Sequence, residues 1–133
     1  MERMIFYTHS GWRYIVILVA VLALLKLLLG MLGQRQWGKL DQALGAAFPI
    51  VFDIQLLFGI ILWGMQFAAG IPSRQAAEHP VTMILAIAAA HIGWSRAKKS
   101  SSDADKFRAA FIGFLIATLL MSLGVARMTG LMG

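Results

Sequence analysis

Apolar residues are concentrated in four long runs, which are separated by short polar or charged stretches. A helix that crosses about 30 Å of hydrocarbon needs about 20 mostly apolar residues. Each run meets this length, the third only when its polar flanks are included. The pattern predicts an all-α integral membrane four-helix bundle, formed by one domain over residues 1–133. The predicted helices span roughly residues 10–33, 43–69, 79–97 and 107–127.

The composition agrees with a membrane protein. The chain is 59% hydrophobic and only 14% charged, which is too apolar for an ordinary soluble domain of this size. It has no cysteine, which excludes thiolate metal sites, c-type haem attachment and disulfides. The net charge of +6 does not indicate nucleic-acid binding, because the basic residues flank helix ends, where lipid headgroups and membrane orientation account for them. The predicted partners are the lipid bilayer and other membrane subunits.

The basic residues between the runs predict an orientation. Lys and Arg accumulate in the cytoplasmic connections of membrane proteins. The first and third connections contain seven of them, and the other side contains four: Arg35, Lys39, Arg96, Lys98, Lys99, Lys106 and Arg108 against Arg3, Arg13, Arg74 and Arg127. The excess predicts that both termini lie on the outer, periplasmic side of a bacterial inner membrane.

Two histidines are predicted to lie at matching depth near the outer surface. His9 precedes the first run and His79 opens the third, and these two helices run in the same direction. Haem b needs two imidazoles on opposite sides of the porphyrin, often from helices of one bundle. Arg13, four residues after His9, lies on the same helix face and is suited to a haem propionate. Hydrogen bonding of both histidines at the membrane interface, or with a partner subunit, is the alternative.

A second polar set is predicted deeper in the membrane. Lys26, Asp53 and His91 come from three helices and fall at a similar depth, and Gln55 lies close to Asp53 in the sequence. Ionisable groups inside a span are costly and indicate a function by default. We therefore expect a buried polar cluster in which Asp53 pairs with Lys26 or with His91. A structural salt bridge, a quinone headgroup site, a proton relay and a second haem edge all remain as interpretations.

Four short segments carry a resemblance to a known family. They are HSGWRY before the first helix, DIQLLFG in the second, EHP at the start of the third and HIGWSRAKK at its end. Together they resemble the small four-helix bacterial membrane proteins labelled cytochrome b or cytochrome b-like. The resemblance implies haem b and a role in membrane electron transfer, with His9 and His79 as the matching histidines.

Two functions follow as hypotheses. The first is a small cytochrome b-like protein, a subunit or partner of a membrane electron-transfer complex, with haem b between His9 and His79. The second is a haem-free accessory subunit of a respiratory or photosynthetic membrane complex. A small ion carrier built on the deeper polar set is a third class, but the chain lacks the broken helices or paired repeats typical of transporters. The sequence has no nucleophile–base arrangement that would indicate independent catalysis.

Overall fold

The described residues, 2–70 and 74–128 of a computed structural model, form four α-helices joined by short connections. The helices are α1 (Glu2–Leu32), α2 (Lys39–Ala68), α3 (Arg74–Lys99) and α4 (Asp103–Met128). Neighbouring helices in the sequence also pack side by side, and α4 returns to contact α1. The result is an antiparallel up-and-down bundle. The residues 33–38 and 100–102 lie at the same end, which we call the connection end.

The helices are longer than the apolar runs predicted. α1 begins at Glu2 rather than near residue 10, and α3 begins at Arg74 rather than near residue 79. Hydropathy detects only the part of a helix that suits hydrocarbon, whereas the helical backbone continues into polar flanks. Pro80, which lies at the start of the predicted third helix, is the seventh residue of α3. Pro49 is likewise inside α2, where it removes the backbone hydrogen bond to Gly45.

Local sequence sets the helix ends at the connection end. α1 stops in a Schellman motif, in which the Arg35 amide donates to the Gly30 carbonyl over 3.0 Å. Gln34 takes the left-handed conformation there, with φ of 51°, a position more often occupied by glycine. Ser102 caps the start of α4, because its Oγ accepts from the Asp105 amide over 3.2 Å. These caps satisfy backbone groups that the helices leave unpaired.

The core combines stacked aromatic rings with small residues. Phe48 of α2 stacks on Phe114 of α4, with 4.0 Å between centroids, and on Phe52, with 4.6 Å. α3 contributes mainly alanines to the interior, such as Ala86 and Ala90, which are fully buried. Large rings from α2 and α4 therefore fill the space that the small side chains of α3 leave open.

α3 and α4 make the most extensive helix–helix contact in the bundle. Their backbones come into contact at two glycines. A Cβ atom added to Gly93 would lie 2.7 Å from the Cα of Gly113, and one added to Gly113 would lie 2.5 Å from the Cα of Gly93. Small residues that let backbones touch are the usual means of helix association in lipid. This pairing explains why glycine is required at both positions.

The outer surface of the bundle is apolar. Among the described residues, three helical segments are long and apolar enough to cross a membrane, and only 28%, 28% and 39% of their most apolar stretches are buried: Ser10–Leu32, Lys39–Ala68 and Asp103–Gly124. Their outward side chains include Leu18, Val21 and Leu119, which are 58%, 56% and 60% exposed. The fourth predicted span does not reach the same hydropathy over the described residues of α3. Its apolar segment is short and rich in alanine.

Candidate functional site

Asp53 of α2 and His91 of α3 form a pair across the two helices. His91 Nε2 lies 2.9 Å from Oδ1 and 3.0 Å from Oδ2 of Asp53. In the imidazole tautomer that carries its hydrogen on Nε2, this nitrogen donates and the two carboxylate oxygens accept. The sequence predicted that Asp53 pairs with either Lys26 or His91, and in the structure its partner is His91.

The pair lies on the outer surface of the bundle and not in its core. The side chains of Asp53 and His91 are 45% and 50% exposed. At about 1.5 Å of rise per residue, Asp53 is about 21 Å from the first residue of α2 and about 22 Å from its last. An ionisable pair therefore faces outward at the middle of a helix that is long enough to span a membrane.

Apolar side chains surround this pair. On α2, Ile50 and Leu57 lie one turn on either side of Asp53 and are 55% and 56% exposed. On α3, Ile84 lies two turns before His91 on the same side of the helix and is 51% exposed. We call the surface formed by these three side chains, Asp53 and His91 the α2–α3 face. It carries a hydrogen-bonded polar centre within a hydrophobic patch.

Lys26 is separated from that pair and binds a different carboxylate. Its Nζ lies 2.7 Å from Oδ1 of Asp41, which is 1% exposed. The other oxygen, Oδ2, accepts from the Gly38 amide over 2.9 Å and so caps the start of α2. Asp41 was missed in the sequence because it precedes the predicted second helix and was assigned to the first connection. A lysine within an apolar run and an aspartate three residues after a glycine were the available signals.

Aromatic rings close the connection end around this ion pair. Trp37 stacks on Trp94 with 6.3 Å between centroids and meets Phe107 edge-on at 5.0 Å. The ammonium of Lys26 is 6.0 Å from the Phe107 centroid, and that of Lys98 is 5.6 Å from the Trp94 centroid. Cation–π contacts of this kind help to hold charges beside apolar rings. These contacts have a structural role: they pack the connection end and stabilise the Lys26–Asp41 ion pair.

Gln55 lies on the opposite side of α2 from Asp53. Two residues along a helix correspond to a rotation of about 200°, so these two side chains face opposite directions. Gln55 is 5% exposed, and its buried Oε1 has no hydrogen-bond partner among the described residues. The expected single cluster thus divides into an outward pair, an ion pair at the connection end and an isolated buried glutamine.

The outer histidines are only partly described. His9 and His79 both lie on helices, at the end of the bundle opposite the connections, but their side chains lie outside the described residues. Arg13 is half-buried, with its guanidinium 5.6 Å from the centroid of the Tyr14 ring. The third histidine, His91, is bound to Asp53 and offers them no imidazole partner. The haem ligand pair therefore stays a prediction.

The interior next to this end is occupied by side chains. The Trp12 indole N–H donates to the Val51 carbonyl over 2.9 Å, and its ring meets Phe58 edge-on with 6.5 Å between centroids. Met83 of α3 is buried in the core. No group of three or more His, Asp or Glu side chains that could hold a metal ion occurs in the part of the chain that the structure describes.

Comparisons with known proteins found no relationship. No protein-family model matches the chain, and no curated protein or solved structure shows significant similarity to it. The resemblance to cytochrome b-like membrane proteins therefore rests on its short motifs alone.

Proposed function

We propose that the protein is an integral membrane subunit that contacts a second membrane protein through the α2–α3 face. The observation that carries this proposal is the half-exposed Asp53–His91 pair in the middle of an apolar surface. Ionisable side chains at membrane depth almost always face a bundle interior or a water-filled cavity. Within this chain the pair faces neither, since it points outward among exposed isoleucine and leucine side chains.

A partner helix would relieve the cost of this pair. A polar atom that leaves water without a hydrogen bond costs several kcal/mol in hydrocarbon, roughly 4–8 by cyclohexane transfer. The contact between Asp53 and His91 engages only one of the two imidazole nitrogens. A transmembrane helix with a hydroxyl or amide side chain would supply a further hydrogen bond to Asp53 or His91. The apolar side chains around the pair would pack against the same helix. A polar contact set within an apolar helix surface is one of the usual means by which membrane helices associate.

Site-specific photo-crosslinking in native membranes tests this proposal. A photoreactive phenylalanine analogue at Leu57, one turn from Asp53, is expected to give one discrete protein adduct. The same analogue at Leu25, which is 53% exposed on α1, is the matched control and should react with lipid. The adduct at Leu57 should disappear in the Asp53→Leu/His91→Leu double variant while the helix content is retained.

Three crosslinking results would overturn the proposal. These are lipid adducts alone at Leu57, a protein adduct that persists in the double variant, and an adduct with twice the mass of this chain, which would mean self-association. Quinone that copurifies with the protein and is lost in His91→Ala would assign the α2–α3 face to a quinone headgroup instead.

A cytochrome b-like electron-transfer function is the second candidate. It is favoured by the parallel course of α1 and α3, which brings His9 and His79 to the same end of the bundle. If haem b is bound, these two histidines would ligate its iron and Arg13 would face a propionate. The group would then supply one-electron transfer within a membrane complex.

Absorption spectra of the purified protein, oxidised and reduced, test this candidate. A b-type band is expected that is lost in both His9→Ala and His79→Ala and retained in His91→Ala, which is the control for loss of an imidazole. The absence of such a band in protein purified with its native neighbours from haem-supplied cells would remove the cytochrome hypothesis.

A further inference from the structure

A groove runs along the outside of the α3–α4 contact, with a volume of about 740 Å³. Gly93 and Gly113 form part of its lining. Their backbones touch, and since neither residue has a side chain, the flanking side chains form the walls of an open cleft. The groove lies on a different face of the bundle from Asp53.

The lining of the groove is divided along its length. Arg96, Lys99 and Arg108 surround its part near the connection end. Ile112 and Ile116 continue the lining along α4, and they are 49% and 46% exposed. From Arg108 to Ile116 the groove follows α4 for about 12 Å at 1.5 Å per residue. A cationic end thus leads into an apolar channel.

The cationic end carries an excess of positive charge. Asp105 also lines the groove, and its Oδ1 lies 3.9 Å from Nη1 of Arg108. One acidic group against three basic groups leaves a formal excess of two positive charges. Arg96 and Lys99 form no ion pair with a described carboxylate within 4.0 Å. These two side chains are therefore suited to an external anion.

We propose that this groove binds one anionic phospholipid. Its phosphate would contact Arg96, Lys99 and Arg108, and one acyl chain would lie along Ile112 and Ile116. The match of charge and polarity favours this occupant, because an anionic headgroup and an apolar tail occur in the same order as the two parts of the groove. Basic pockets between membrane helices on the cytoplasmic side are established sites for such headgroups.

This inference requires the membrane location that the proposed function also assumes, but it uses a different face and different residues. Loss of the α2–α3 contact would leave lipid binding intact, and loss of lipid binding would leave the crosslink at Leu57 intact. The two proposals therefore fail separately.

Native mass spectrometry of the detergent-purified protein tests the lipid site. The complex with phosphatidylglycerol is expected to be detected at a lower concentration of added lipid than the complex with phosphatidylcholine. Replacement of Arg96, Lys99 and Arg108 by glutamine should weaken phosphatidylglycerol retention by roughly fivefold for each cation removed. The control is Arg35→Gln/Lys39→Gln, which removes two cations at the same end of the bundle but outside the groove, and it should bind normally.

A second variant tests the apolar part without a change of charge. Ile116→Trp would fill the channel and should reduce phosphatidylglycerol retention, whereas Leu119→Trp, on the same helix outside the lining, should not. Glycerol phosphate alone should fail to displace the lipid, since the acyl chain contributes to binding.

Four results would overturn the proposal. Equal retention of both lipids, or unchanged retention in the triple variant, would exclude an anion-selective site. Displacement by glycerol phosphate would indicate a phosphate site without an acyl channel. Conversion of a dimer to a monomer by Ile116→Trp, with lipid retention unchanged, would show that a second copy covers the groove.

Discussion

Lys26 of α1 and Asp41 of α2 form an ion pair with 2.7 Å between Nζ and Oδ1. Fourteen residues lie between them in the sequence, and these include the whole first connection. The same carboxylate accepts the Gly38 amide, so one side chain both caps α2 and joins it to α1. This contact holds the α1–α2 hairpin at the connection end.

We expect Asp41→Ala to lower the free energy of unfolding by about 3 kcal/mol, the lower part of the range for breaking a buried ion pair. The ammonium of Lys26, 27% exposed, would lose its partner, and α2 would lose its cap. Denaturant titration in detergent, followed by circular dichroism, measures the change. Asp105→Ala is the control, because its pair with Arg108 is exposed and worth at most about 1 kcal/mol. Equal effects of the two variants would contradict the structural role of Asp41.

The glycine contact between α3 and α4 gives a second prediction. Gly93→Ala and Gly113→Ala should each destabilise the bundle by about 1–3 kcal/mol, because the added methyl group meets backbone that cannot move aside. Gly64→Ala is the control. Nothing lies within 4 Å of the Cβ position at Gly64, so this change should stabilise α2 by about 0.5–1 kcal/mol. The same unfolding titration compares the three variants, and a stabilising effect at Gly93 would rule out the close approach.

Gln55 should be replaceable with a gain in stability. Its buried Oε1 is unpartnered among the described residues, and an unsatisfied buried polar atom costs about 1–3 kcal/mol. Gln55→Met keeps the side-chain length and removes the polar group, so we expect a higher unfolding temperature. Gln42→Met is the matched control on the same helix, because the Gln42 Oε1 accepts the Trp37 indole N–H over 3.0 Å. That variant should be neutral or destabilised. A loss of stability in Gln55→Met would show that Oε1 serves an interaction.

The predicted orientation is testable because the chain has no cysteine. Single cysteines at Ala69, just after α2, and at Ser101, between α3 and α4, occupy exposed positions at opposite ends of the bundle. A membrane-impermeant maleimide should label the Ala69→Cys variant in intact cells and the Ser101→Cys variant only after permeabilisation, as the positive-inside rule requires. The reverse pattern would place the termini in the cytoplasm.

The all-helical architecture was predictable because four apolar runs with short polar connections leave few other folds. The contact between Gly93 and Gly113 was harder to predict from the sequence. Both helices contain several small residues, but only the packed bundle shows which of them meet. Helix ends were predicted poorly, since polar flanks such as residues 2–9 continue the helix without a hydropathy signal.

The polar residues show a different limit of sequence reasoning. Lys26, Asp53 and His91 lie at similar predicted depth, but depth does not specify the direction in which a side chain points around its helix. Rotation about the axis sends Asp53 outward and Gln55 inward. Asp41 was hidden by its position beside a connection, where an acidic residue ordinarily meets water. Partner choice among ionisable groups therefore required the three-dimensional arrangement.

The low hydropathy of α3 has a consequence for how the chain is made. A helix that partitions weakly into hydrocarbon is poorly retained when it leaves the translocon alone. We expect α3 to remain at the translocon until α4 emerges, and the two to enter the bilayer together as a helical hairpin joined at Gly93 and Gly113. Insertion would then proceed in two stages. α1 and α2 would insert on their own, and insertion of α3 would depend on α4.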